Sequence, residues 1–537
     1  MRLISGLAIV LAALGADSRV LASPPSTTKL DAALQRSSSG TVRVIVRAAP
    51  GQAANVADGL RKRGRQVFRQ YTVIDAVAMD ATADDLAALQ SDPAVAGISI
   101  DAVVAGSAVT SSFTQDTSTL ISTLRLPQGG TGKGVGIAIV DSGLAVNGDF
   151  SGVSFYDFTS SVPTAPYDDY GNGTHVSGLI AGKGSLSQGA YTGIAPRAQL
   201  VELKVLDSQG RALTSTVIAA IEFAIANKAA LGVDVLNLSL GHPVFESVQT
   251  DPLVQAVEAA TRAGIVVVVA AGNVGRSVTT GAPGYAGILS PANAPSAITV
   301  GALDTKNTIS RSDDVVAPYS SRGPTWYDAL PKPDLVAPGQ SLIADAAIGS
   351  TLFSALPGAQ IAGNGGFARY LRLSGTSMAA AVTSGVAALV IEASRSAYGV
   401  AAPPATVKAI LNYTALPLSG VDALTQGHGA LNASGAVALT LAAGAAGWPA
   451  SGFVGLVTPP TTTIGSETWT WAQQADSNDT VVWGTADGAT EPAWAQTVVW
   501  GTVDFAGDTV VWGTYDSDTV VWGTNDTVVW GTTNGVN

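Results

Sequence analysis

With 537 residues the chain is too long for one ordinary core and has room for two or three units; 47% apolar and 13% charged residues exclude a disordered chain. It has no cysteine, which excludes a disulfide framework and a cysteine-based zinc site, so its stability must come from packing or bound ions. The formal charge of −12 is concentrated late. No Lys or Arg follows Lys408, while acidic residues run on from Asp422 to Asp526, a tail that argues against nucleic acid as a partner.

The first 22 residues read as an export signal: Arg2, an apolar run from Leu3 to Ala16, then Val20-Leu21-Ala22 as a small-residue cleavage site before Ser23. The run is too short to span a bilayer comfortably, and no later stretch makes a convincing transmembrane span. Residues 41–105 then alternate as strand, helix, strand, helix, strand, from TVRVIVR through NVADGLRKRGRQV, YTVIDAVAMD and ATADDLAALQSDPAV to AGISID. That pattern suits a small ferredoxin-like α/β unit. Its place between an export signal and the long unit that follows suggests an inhibitory, folding-assisting propeptide. Arg61, Lys62, Arg63, Arg65 and Arg69 form a basic cluster, read as a solvated helix face.

Residues 113–443 form the main unit, with strands and helices alternating from about Gly132 to Leu441. GVGIAIVD, AQLVELKVLD, VDVLNLSLG, GIVVVVAAGN and SAITVGALD are short, nearly continuous apolar runs, separated by helical patterns such as TSTVIAAIEFAIANKAALG and DPLVQAVEAATRAG. Such runs predict an α/β fold, a mostly parallel sheet covered by helices on both faces, with ligands beyond the carboxyl ends of the strands where Asp141, Gly241 and Asn273 fall. A Pro-, Gly- and Thr-rich linker is expected over 444–463. Residues 464–537 form a tail in which TVVWGT recurs at Thr480, Thr497, Thr509, Thr519 and Thr527 at shrinking spacing. It is β-prone; it serves either as a weakly ordered spacer or as a module whose indoles contact a cell surface.

Chemistry concentrates at three places. SGTSMAAA puts Ser377 between a small-residue turn and a long apolar helix, GVGIAIVDSG ends in Asp141, and the turn GNGTHVSG carries His175. A peptide-cleaving serine needs a base near neutral pKa, and the chain has three histidines. His242 reads as a loop residue at a cleft rim and His428 as a capping or surface residue, which favours His175.

The ordered set VDSG at 140–143, GNGTHVSG at 171–178, LNLSLG at 236–241, AAGN at 270–273, YSSRGP at 319–324, KPDLVAPG at 332–339 and SGTSMAAA at 374–381 resembles the subtilisin-like serine peptidases, the subtilases. The order of Asp, His and Ser is also theirs. The resemblance implies a subtilisin-like fold with an inhibitor-type propeptide. In it Ser377 would be the nucleophile, His175 the base, Asp141 the orienting acid, and Asn273 an oxyanion donor together with the Ser377 N–H. It further implies that extended peptide lies along Ser239, Leu240 and Gly241 as an added strand, with Ala270, Ala271 and Gly272 walling a pocket. Two residues depart from the family pattern, Ala381 for a proline and Asn172 for a histidine, and neither touches the triad so assigned. No cofactor is required; calcium is left unassigned because KGSLSQGAYTGIAP lacks the acidic loop that binds it in relatives. The expected protein is a secreted, self-processing serine endopeptidase acting on polypeptides, with autocleavage between about Ala105 and Asp116. The competing reading is a catalytically weak or silent subtilase-fold protein whose tail binds a surface.

Overall fold

The structure, a computed structural model, describes residues 28–36, 40–106, 118–127, 129–276, 281–443, 453 and 455–474, and the backbone of four short strands beyond them. The export signal, most of the expected processing stretch and most of the repeat tail lie outside the described residues.

The N-terminal unit is a four-stranded antiparallel sheet in the order Val67–Tyr71, Ala76–Ala81, Val42–Ala48 and Val95–Ile100, backed by helices Ala53–Lys62 and Ala83–Ser91. Sequence pattern alone gave three strands. The fourth arises because the helix stops at Lys62, Gly64 takes a positive φ of 76°, and the chain re-emerges as a hairpin that turns at Thr72–Asp75. Thr82 caps the second helix in a reciprocal capping box with Asp85. The basic cluster is a solvated face: Arg61, Arg63 and Arg65 pair with Asp58, Asp92 and Asp85.

The main sheet runs in the order Val315–Val316, Ile298–Asp304, Val266–Ala270, Val233–Leu238, Gly136–Asp141, Gln199–Lys204 and Ser154–Asp157, with Leu335–Pro338 also paired to Ile298–Asp304. The pairs are parallel apart from the short Val315–Val316 edge. Strand alternation sorts the side chains into two cores. Ile137, Ile139, Val266, Val268 and Ala270 face one core, under the helices Asn172–Ala181 and Thr376–Tyr398. Ala138, Val140, Val267, Val269 and Ala271 face the other, under Thr214–Ala226 and Pro252–Arg262. Thr376–Tyr398 is long and apolar enough to cross a membrane, but 94% of its most apolar window is buried inside the protein, so it reads as a core helix.

The boundary expected at 463/464 falls inside one element. Thr461–Ile464 and Glu467–Thr470 form a hairpin that packs on the main unit, with Ile464 and Trp471 buried. Trp471 Nε1 and Asn432 Nδ2 both donate to Thr462 Oγ1, at 2.8 and 2.9 Å, and the Glu467 carboxylate accepts from Ser310 Oγ and the Arg311 N–H. The alternating Thr residues pair across the hairpin, which composition alone presents as linker. Of the tail, backbone pairs Val482–Trp483 with Val498–Val499, and Thr519–Val521 with Val529–Gly531.

Candidate active site

Three loops beyond the carboxyl ends of neighbouring central strands bring the chemistry together. Asp141 closes the strand Gly136–Asp141. Asn273 follows Val266–Ala270, and LNLSLG continues from Val233–Leu238. Ser377 is the second residue of Thr376–Tyr398, where the positive end of the helix favours a developing anion. Its Oγ donates to the Ser239 carbonyl at 3.1 Å, and Ser239 Oγ donates back to the Ser377 carbonyl at 3.2 Å. Asn237 Nδ2 fixes Ser239 Oγ at 2.9 Å, and Ser384 Oγ fixes Asn237 Oδ1 at 2.9 Å, so the serine's helix is tied to the LNLSLG strand. Asn273 Oδ1 accepts from the N–H and Oγ1 of Thr376, both at 3.0 Å. The residue borders a cavity of about 400 Å³ with Tyr319 and Gln340. Ala381 is buried within the uninterrupted helix.

His175 does not occupy the place expected of the base. Its Nε2 lies 3.1 Å from the Leu342 carbonyl and 3.0 Å from the Leu371 carbonyl, so that nitrogen carries the hydrogen and donates to both. Its Nδ1 is buried without a hydrogen-bond partner, and neither nitrogen meets Asp141 or Ser377. Burial holds its pKa down at about 4, opposed by the two carbonyls, so it stays neutral and pins the strands Leu342–Asp345 and Ala368–Leu373 to its helix.

The residue facing Asp141 is Asn172, one helical turn earlier. Its Nδ2 donates to both carboxylate oxygens of Asp141, at 3.0 and 2.8 Å, while its Oδ1 is buried with no partner among the described residues. The local sequence explains why. Gly171 has a φ of 108°, and a Cβ on Gly173 would stand 2.2 Å from the Gly143 carbonyl, so only glycines let the helix begin this close to the strand end. Asp168 caps the start, accepting from the N–H groups of Gly171 and Thr174 and from Thr174 Oγ1. The first helical side chain thus points at Asp141, and His175 is carried into the core. The departure at 172, expected to leave the triad untouched, is the side chain that meets the acid, the contact assigned to His175 from the sequence. The family's histidine at that position was the signal for it.

Among the described residues no Lys, Arg or His pairs with Asp141. Burial is the main cause that pushes the Asp141 pKa up from 3.8 to about 7; the Asn172 and Ser142 hydrogen bonds oppose it, and Asp168 adds to it. Glu202 is likewise held well above its usual range by burial, with Ser177 Oγ donating to it at 2.6 Å. The other histidines lie elsewhere: His242 Nδ1 meets the Pro243 carbonyl, and His428 Nδ1 the Asp334 carbonyl. Among the described residues no group of three or more His, Asp or Glu side chains is arranged to hold a metal ion.

The strand Val103–Gly106, at the end of the N-terminal unit, pairs antiparallel with Leu240–Gly241 on one side and with Arg211–Leu213 on the other, Gly106 opposite Leu240 and Ala105 opposite Gly241. A Cβ on Gly106 would lie 2.8 Å from Leu206 Cδ1 and 3.9 Å from Asn172 Nδ2, so the strand runs directly past the Asp141 and Asn172 pair. Ala270 and Ala271 pack into opposite cores, and Gly272 approaches Leu289 and Ser321.

A model of the subtilase family matches residues 132–448. The chain belongs to the subtilase family. Serine protease AprX of Bacillus subtilis (strain 168) is 38% identical over 314 residues, 57% of this chain and 67% of AprX. Subtilisin E of the same organism is 34% identical over 348 residues, 63% of this chain and 76% of that protein. Among solved structures, fervidolysin of Fervidobacterium pennivorans, a keratinolytic enzyme related to subtilisin, superposes with a TM-score of 0.58 at 19% identity, over 79% of this chain and 64% of that one. This last likeness concerns the fold alone. Kinship places this subtilase among the serine endopeptidases, hydrolases of peptide bonds.

Proposed function

We propose that the chain is a secreted serine endopeptidase of low intrinsic turnover, which binds extended peptide along Ser239–Gly241, attacks it with Ser377, and is held in check by its own N-terminal unit. The observation that carries this is the antiparallel seating of Val103–Gly106 on Leu240–Gly241, beside the start of the serine's helix. A peptide so seated would present its carbonyl to Ser377 Oγ. The Ser377 N–H and the Asn273 amide would stabilise the tetrahedral oxyanion.

The N-terminal unit suits an inhibitor because it is held at several points besides the cleft. Glu222 accepts from the N–H groups of Thr72 and Val73 and from Thr72 Oγ1. Asp101 caps the helix Thr214–Ala226 by accepting from Ser215 N and Oγ at 2.7 and 2.6 Å, and Tyr71 Oη donates to the Ser215 carbonyl. The low turnover follows from Asn172. An amide cannot take the serine's proton at neutral pH, and substrate seating plus an oxyanion site alone support about 10³–10⁴-fold acceleration over water.

The test is labelling of the purified protein by a fluorophosphonate probe together with casein hydrolysis, each compared with Ser377→Ala. Slow labelling and hydrolysis, both lost in the variant, are expected. The bond between Asn172 and Asp141 also favours a second reading, a silent subtilase-fold protein that only binds peptides. Peptide binding without any Ser377-dependent labelling or hydrolysis would select that reading over the first.

A further inference from the structure

We infer that Asn172 keeps the N-terminal unit covalently joined to the peptidase unit, and that the single change Asn172→His turns the strand seated in the cleft into a substrate, cut on the C-terminal side of Gly106. This rests on the reading of Ser377 as the nucleophile.

Most of what a cleavage needs is already assembled. The strand Val103–Gly106 is hydrogen-bonded on both edges, Ser377 Oγ is fixed at 3.1 Å from the Ser239 carbonyl next to it, and Asp141 stands behind Asn172. One function is missing at one position. Attack by Ser377 forms the Oγ–C bond only if the hydroxyl proton leaves, and the Asn172 nitrogen has its lone pair delocalised into the amide, while its Oδ1 is too weak a base at neutral pH. Asn172 Nδ2 is bonded to the same carbon, Cγ, as the Nδ1 of a histidine would be. A histidine at 172 can therefore donate Nδ1–H to Asp141 as the amide now does, with its ring projecting Nε2 beyond that contact, toward the side where Gly106 passes.

The balanced sequence is then complete within the chain and water. Nε2 takes the Oγ proton as the Oγ–C bond forms and returns it to the leaving nitrogen as the C–N bond breaks. Water, deprotonated by Nε2, hydrolyses the acyl ester, leaving a new carboxylate and a free Ser377 hydroxyl. Asp141 stabilises the imidazolium throughout and would no longer be a carboxyl without a cationic neighbour. In subtilisin, a relative of this chain, losing the base alone costs about 10⁶ in turnover, and a gain of that order is what the substitution restores here.

The experiment expresses the full chain as wild type, N172H, and N172H combined with Ser377→Ala, and reads intact mass, N-terminal sequence and thermal melting. The wild type and the double variant should stay uncut beyond Gly106, whereas N172H should yield two associated fragments, the second beginning at Ser107. If N172H melts well below the wild type, Asn172→Ala supplied with free imidazole replaces it, and imidazole-dependent cutting at the same place is expected. Complete Ser377-dependent self-cutting of the wild type there, or a folded N172H that a fluorophosphonate probe labels at Ser377 yet stays intact, overturns the inference while leaving the nucleophile in place. A folded N172H that is neither labelled nor cut overturns the reading of Ser377 itself.

Discussion

Replacing Asp141 by asparagine should stabilise this protein at neutral and alkaline pH, an unusual outcome for the orienting acid of a serine peptidase. The carboxyl is buried, and its hydrogen-bonding neighbours are the Asn172 amide and the Ser142 N–H, with Asp168 acting at longer range. None of them is positive. Burial raises its pKa from 3.8 to about 7, so between those values the folded protein binds more protons than the unfolded chain. Stability contributed by the group is therefore fully present below pH 3.8 and is lost as pH rises through about 7. At about 1.36 kcal/mol for each pH unit of displacement, the charged carboxylate costs about 4 kcal/mol above the window, with structural relaxation lowering the observed figure. Asp141→Asn removes that cost and keeps the contacts, because its Oδ1 can accept from Ser142 while a flipped Asn172 accepts from its NH2 through the oxygen that now has no partner. Melting midpoints of variant and wild type from pH 4 to 8.5 should coincide at the acid end. They should diverge by several degrees in favour of the variant above pH 7.5, at roughly 1–2 °C for each kcal/mol in a unit of this size. A variant less stable than the wild type at pH 8, or a difference independent of pH, would refute the reasoning, since the first means that the contacts of the charged carboxylate outweigh its burial and the second that its pKa is not raised.

Three further substitutions probe the rest of the framework. His175→Phe should lower stability by about 1–3 kcal/mol, because the carbonyls of Leu342 and Leu371 lose their shared donor, while self-cutting in the N172H background persists; loss of cutting in a folded double variant would return the base role to His175. Asp101→Ala should remove the cap on Thr214–Ala226 and cost about 1–2 kcal/mol, seen as a lower melting midpoint, with no change if the N-terminal unit is not docked in solution. Ending the chain after Trp448 should destabilise it by several kcal/mol through loss of the buried Phe453, Ile464 and Trp471, whereas ending it after Gln474 should leave the melting midpoint within a degree or two of the full chain.

Much of the fold was legible because its signals are local. The apolar runs at Gly136–Asp141, Val233–Leu238 and Val266–Ala270 needed no partner to be read as strands buried on both faces, and their ends located the cleft. The hairpin Val67–Tyr71 with Ala76–Ala81 was less visible, since the first strand follows directly on a basic helix end and is only half-buried. Thr461–Thr470 was illegible as part of the core because its burial depends on Asn432 and on the Ser310–Ser312 loop, over 100 residues away in the case of that loop.

The candidate site divides in the same way. From the sequence alone follow the family, a serine at the start of a long helix, an acid at a strand end, and a histidine-poor composition that leaves few candidates for the base. Tertiary structure decided which side chain meets the acid. Residues 172 and 175 are three apart and lie near one face of the same helix, so spacing cannot separate them. Capping by Asp168 and the close approach of Gly173 to Gly143 set where that helix begins, which turns Asn172 toward Asp141 and buries His175 beneath the carbonyls of Leu342 and Leu371.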